Sequence, residues 1–203
     1  MNKLLIATTN PGKLSEIKRF LSDIPITLVS LKDVGIADAV EETGKTFEEN
    51  AILKAKFYAE KSGLPTLADD GGFEIEALGG EPGVKSHRWI DPEKESSDDE
   101  LIEYTIAKMK DIPEGKRNVQ LRLVLALMTP DGAVRRVEEA IGGIVPLNPT
   151  GKRSEGFPFR SLMFLPEINK YYNHDELTEG ENERYNHRKR ALETLKPFIK
   201  TLC

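Results

Sequence analysis

Cysteine is nearly absent: Cys203 stands alone at the end of the chain, so no disulfide framework holds the fold and a reducing compartment is expected. Long apolar runs are absent too, and nothing approaches the roughly 18 residues a membrane span needs. Met1 to Ala7 is too short for a signal-peptide core and reads as a buried strand. The expectation is a soluble, cytoplasmic protein with no membrane partner. A basic excess is missing as well, because the net charge is -5, which argues against a general nucleic-acid binder. An anionic small molecule is still allowed, since a few local Lys and Arg hold phosphate against an acidic background. Histidine is scarce: His87, His174 and His187 lie far apart, with no zinc-helix spacing. Gly79 to Ser86 resembles a P-loop superficially, but Val84 separates Gly83 from Lys85 and the upstream glycine is missing.

What is present is ordinary globular composition over 203 residues, enough for a single domain, 1–203, of one large or two small lobes around a shared core. Leu4–Ala7 reads as a strand, Pro11–Leu21 as a helix with Asn10 as its cap, and Ile26–Leu31 as a second strand. Asp33–Lys45 is polar loop. Thr46–Lys61 is the clearest helix, with Thr46 and Glu49 set as a capping box and Gly63 as its stop. Leu64–Ala68 reads as a strand running into Asp69-Asp70-Gly71-Gly72, and Phe73, Ile75 and Ala77 alternate with Glu74 and Glu76 as a half-exposed strand. Asp91–Asp99 is a charged loop and Glu100–Lys110 a helix. Asn118–Met128 and Ala133–Val145 form a hairpin across Thr129-Pro130-Asp131-Gly132. Residues 146–185 read as irregular, and Asn186–Leu195 as a last helix with Pro197 near its end. Helices mixed with hairpin strands predict an α/β protein with a mixed sheet flanked by helices.

Three segments could carry chemistry. In Thr8-Thr9-Asn10-Pro11-Gly12-Lys13 a strand stops and a helix begins with unpaired N–H groups, which favours phosphate. Lys13 adds a full charge in a first turn, where cations are otherwise disfavoured; the bland alternative is an ordinary βα turn with a surface lysine. Asp69 and Asp70 repel each other at the end of an apolar strand, and Mg²⁺ would relieve this. Neighbours in a strand point to opposite faces, so one aspartate would face a given site; the alternative is a solvated Asp-Asp-Gly turn. Glu41 and Glu42 precede the Thr46 helix, on which Asn50 and Lys54 share a face. Lys54 either snorkels to water or reaches a phosphate.

Together these segments resemble a known family. Thr8-x-Asn10-x-x-Lys13, Glu42-Thr43-Gly44-x-Thr46-Phe47-x-x-Asn50-Ala51-x-x-Lys54-Ala55 and Ala68-Asp69-Asp70-x-Gly72 match it in order and spacing. So do Ala77-Leu78-Gly79-Gly80-x-Pro82-Gly83-Val84 and His187-Arg188-x-x-Ala191-Leu192. The chain resembles the inosine triphosphate pyrophosphatase family, hydrolases of non-standard purine nucleoside triphosphates. The likeness is dense over residues 4–88 and patchy beyond about 140. It implies an elongated α/β fold with a long mixed sheet, two lobes with an active-site cleft between them, and a homodimer. It also implies hydrolysis between the α and β phosphates with Mg²⁺. Thr8, Thr9, Asn10 and Lys13 would cradle the triphosphate. Asp70 would be the general base, Glu42 with Asp70 would hold the metal, and Asp69 and Lys54 would support them. Gly71, Phe157, Phe159, His187 and Arg188 would complete substrate binding.

The sequence departs from the family in its base-recognition half. Gly71 stands where Ser or Thr is usual. The family segment Gly-Phe-Gly-Tyr-Asp-Pro corresponds to Gly156-Phe157-Pro158-Phe159-Arg160-Ser161, so Arg160 reverses a charge. Asn182 and Asn186 replace a Lys and a Ser. The aromatic pair keeps surfaces for stacking a base. The expectation is an intact hydrolytic centre acting on ITP, dITP and XTP, or the same chemistry with altered or broadened base choice. A catalytically weak nucleotide-binding homologue is the third reading, and a generic metal phosphatase, releasing orthophosphate, the fourth.

Overall fold

The computed structural model describes residues 2–173 and 175–203, so His174 lies outside the described residues. Its strands are β1 (Lys3–Ala7), β2 (Thr27–Ser30), β3 (Thr66–Ile75), β4 (Glu81–Pro82), β5 (Asn118–Met128), β6 (Val134–Ile144), β7 (Phe164–Leu165) and β8 (Lys170–Tyr171). Its α-helices are α1 (Pro11–Phe20), α2 (Phe47–Ser62), α3 (Asp98–Lys108), α4 (Glu179–Tyr185) and α5 (His187–Lys200). The sheet order is β2-β1-β3-β5-β6-β7-β8, with β4 on β3. β1 pairs in parallel with β2 and β3, whereas β3–β4, β6–β7 and β7–β8 are antiparallel. The fold is therefore the expected mixed α/β sheet flanked by helices.

The chain divides into two compact units: Met1–Gly71 with Leu123–Glu139 and His187–Cys203, and Gly72–Arg122 with Ala140–Asn186. In the first unit, side-chain alternation sorts the strand residues to two faces. Leu4, Ile6 and Leu67 pack with Ile17 of α1, Leu21 at its C-cap, and Leu192 and Leu195 of α5. Leu5, Ala7 and Ala68 pack instead with Phe47, Ala51 and Ala55 of α2. β1 is apolar at every buried position because both of its faces are covered. The second unit has its own core, in which Phe73, Leu101, Met109 and Tyr172 are each fully buried.

Several boundaries move from their sequence expectation. Asp69 to Gly72 do not form a turn: β3 runs through them without a break to Ile75, and Ala77 lies in a 3-10 turn, Glu76–Leu78. Helix α3 starts at Asp98, two residues before the expected Glu100, because Ser97 caps it and Glu100 completes the capping box. On α2, Thr46 accepts from Glu49 N–H at 3.1 Å, but Glu49 reaches back to Lys45 N–H at 2.6 Å, one residue short of the box. Residues 146–185 hold short strands and α4 rather than irregular chain alone, and α5 continues through Pro197 to Lys200.

Candidate active site

Where β1 ends, the chain turns through Thr8 to Asn10 into α1. Asn10 is extended (φ -76°, ψ 115°) and its Oδ1 accepts from Lys13 N–H at 3.1 Å, while Pro11 fills the first helical position. Thr8 Oγ1 accepts from Asn10 N–H at 3.2 Å, so the turn is tied by its own polar side chains. No acid occupies the first turn of α1. The positive end of the helix dipole is left for an anion from elsewhere. Thr8 is half-buried and Thr9 exposed.

β3 then separates the two aspartates. Asp69 has the parity of Leu67 and faces α1 and α5; Asp70 has that of Ala68 and faces α2. Asp69 Oδ2 meets Lys13 Nζ at 3.0 Å and Arg188 Nη1 at 2.8 Å, and Arg188 Nε is held in turn by Glu16 Oε2 at 2.9 Å. Burial opposes the charge on Asp69, but Lys13, Arg188 and Lys54 overcome it and hold the carboxyl well below the usual carboxylate range. Asp69 is thus permanently ionised at neutral pH and has no proton capacity to spare.

Asp70 has the opposite character. Its Oδ1 is 2.9 Å from Lys54 Nζ, and the same ammonium is 3.2 Å from Glu42 Oε2. Burial, with the charge of Glu42 beside it, outweighs the attraction of Lys54 and Lys13 and pushes the Asp70 carboxyl up to about 6. Burial of Lys54 is outweighed by Asp70, Asp69 and Glu42, which keep its ammonium pKa above the ordinary value. Two neighbouring strand residues of one chemical type therefore differ in how readily they take a proton, because each is buried against different charged partners.

Glu42 and Asp70 meet on one ammonium, so their oxygens converge on a point that favours a cation. Among the described residues no group of three or more His, Cys, Asp or Glu converges to hold a metal. A hard divalent cation completed by waters and phosphate oxygens matches such a two-carboxylate set. The residues fit the metal that the family resemblance implies.

The aromatic and C-terminal candidates are distributed differently. Phe159, 6% exposed, stacks on Phe73 with centroids 4.9 Å apart and so packs in the core of the second unit. Phe157 is half-buried, and the Arg160 guanidinium lies 3.7 Å from its ring centroid and 5.4 Å from that of Tyr172. Asn182 donates to Leu177 O and Thr178 O within its own helix start. His187 and Arg188 open α5 in the first unit and are both 4% exposed. Gly71 is half-buried within β3. Arg188 is engaged by Asp69 and Glu16 rather than presented to solvent. Glu16 is the member of this cluster that motif reading passes over. It stands one helical turn after Lys13, on the side of α1 that also buries Ile17.

An acid-free helix start and a carboxylate–lysine cluster thus stand together in a mixed α/β fold. The Ham1 family model matches residues 4–198, and the chain belongs to that family. It is 39% identical to a dITP/XTP pyrophosphatase of Thermus thermophilus over 193 residues, 95% of this chain and 89% of that protein. It is 35% identical to the dITP/XTP pyrophosphatase of Bacillus subtilis over 199 residues, 98% of each. Among solved structures it is similar to a HAM1 protein from Coxiella burnetii, with a TM-score of 0.84, 32% identity and coverage of 99% of this chain and 100% of that one.

Proposed function

We propose that this protein hydrolyses nucleoside triphosphates carrying non-standard purines, of the ITP, dITP and XTP type, to the monophosphate and pyrophosphate, using Mg²⁺. The carrying observation is the split of Asp69 and Asp70 into a fixed anion on Lys13 and a carboxyl poised near neutrality beside Glu42 and Lys54. Asp69 orients Lys13 so that its ammonium and the α1 start meet the phosphates. Asp70 takes the proton of the attacking water as general base, standing beside Glu42 and Lys54. The anhydride between the α and β phosphates breaks, the water's hydroxyl ends on phosphorus, and the departing phosphate oxygen keeps the electron pair. Lys13 and Lys54 stabilise the charge that develops on the phosphate oxygens. Mg²⁺ held by Glu42 and Asp70 would add Lewis-acid stabilisation of the phosphate oxygens. A homodimer in the cytoplasm is part of the same reading, and sedimentation of the purified protein tests the dimer.

Arg160 over Phe157 favours a second reading, in which the reaction is kept and base choice is broadened, because the guanidinium already stacks on the ring expected to take a base. A turnover panel over ITP, XTP, dITP, the four common NTPs and modified pyrimidines, with product identification, tests both. Preference for ITP and XTP over GTP supports the first reading; comparable rates across the panel support the second. Orthophosphate as the product would overturn both.

A further inference from the structure

Glu42 is an exposed loop residue, yet it meets Lys54 of α2 across a twelve-residue separation. Something must hold that loop, and the hydrogen bonds identify it. Asn50, 2% exposed on the second turn of α2, accepts the Gly44 N–H at Oδ1 over 2.7 Å. Gly44 cannot carry a side chain here: a Cβ would stand 2.5 Å from Asn50 Oδ1, 2.7 Å from Glu49 Cβ and 2.9 Å from the Asn50 backbone nitrogen. Thr43 N–H donates to Glu41 O at 3.2 Å, and Lys45 N–H to Glu49 Oε2 at 2.6 Å. The backbone is therefore tied on both sides of the pin. Asn50 and Lys54 are four residues apart on one helix face. One face of α2 thus fixes the Glu42 loop by its backbone and meets the Glu42 carboxylate with an ammonium.

We propose that Asn50 is a positioning residue for the metal ligand Glu42, acting through the Gly44 N–H, and that the bare α-carbon of Gly44 is needed for this contact. The inference rests on the reading of Glu42 and Asp70 as the Mg²⁺ ligands. Asn50 touches neither metal nor substrate in this scheme. Its loss frees the loop, so Glu42 samples positions away from Asp70 and the cation is bound less tightly.

The test is Mn²⁺ binding by electron paramagnetic resonance of the purified full-length protein, without nucleotide, alongside the thermal midpoint without metal. Asn50→Ala and Gly44→Ala should each weaken Mn²⁺ binding by about 10-fold, the lower end for a group that orients a ligand. Asn50→Asp, which keeps an oxygen acceptor for Gly44 N–H, should bind at least as tightly as the parent. Gly44→Ala leaves the buried asparagine in place, so the idea stays testable even if Asn50→Ala fails to fold. Folded Asn50→Ala and Gly44→Ala proteins with parental Mn²⁺ affinity would overturn the positioning role alone. If Glu42→Gln also leaves Mn²⁺ binding unchanged, the metal-site reading falls and the inference with it.

Discussion

At the scale of single residues, the protein makes two unlike groups from two identical ones. Asp69→Asn leaves Lys13 and Arg188 facing each other without their shared anion and should cost about 3–5 kcal/mol at neutral pH, as loss of one partner from a buried pair does. Because the folded carboxyl titrates below its unfolded value, the stability it supplies is present above the ordinary carboxylate pKa and is lost as pH falls. The gap between parent and variant in urea unfolding should therefore shrink as pH drops below about 4. Asp70 has the opposite sign. Raised to about 6, it favours the metal-free fold at pH below the unfolded value, and that contribution is lost as pH rises through about 6. On the proposed reading protons and Mg²⁺ compete for this carboxyl, so the rise in thermal midpoint caused by Mg²⁺ should be larger at pH 8 than at pH 5. An equal rise at both would separate Asp70 from the metal.

At the scale of elements, helix α2 carries much of the site on its loop-facing side, and its start is set by one hydroxyl. Thr46→Ala removes the acceptor for Glu49 N–H and should lower stability by about 1 kcal/mol in urea unfolding. The start and stop of α2 were legible in the sequence because Thr46 and Gly63 act locally; Gly63 takes φ 68°, where glycine meets no steric penalty. Helix α4 was legible in principle: Thr178 and Glu181 form a capping box, but the element is only 7 residues and lacks a strong apolar stripe. The continuity of β3 was not legible, because Asp-Asp-Gly-Gly has turn composition. Pairing with β1 ends at Ala68; beyond it β3 keeps β5 as its neighbour in the sheet, and ion pairs to three helices hold Asp69 and Asp70. The Arg188–Glu16 pair joins residues 172 apart, a distance at which local pattern carries no signal.

At the scale of the molecule, β3, β5 and β6 each contribute residues to both compact units. We propose that the chain unfolds as one domain. Leu125→Ala in the first unit and Leu101→Ala in the second, both fully buried, should each cost about 2–5 kcal/mol and lower one shared thermal midpoint. Two separated transitions would show that the units melt independently. The order of motifs along the chain made the family readable, and the mixed sheet followed from hairpin and helix patterns. The assignment of each acid to a helix required the fold itself, since parity along β3 has meaning only once the helices covering each face are known.

The central claim is that Asp70, beside Glu42 and Lys54, removes the proton from water during pyrophosphate release. It is tested most directly by identifying and timing the products from dITP with Mg²⁺, for the parent and for Asp70→Asn. The expected result is dIMP and pyrophosphate from the parent, with the rate falling about 10²–10⁴-fold in the variant. Undiminished pyrophosphate release by Asp70→Asn would contradict the account.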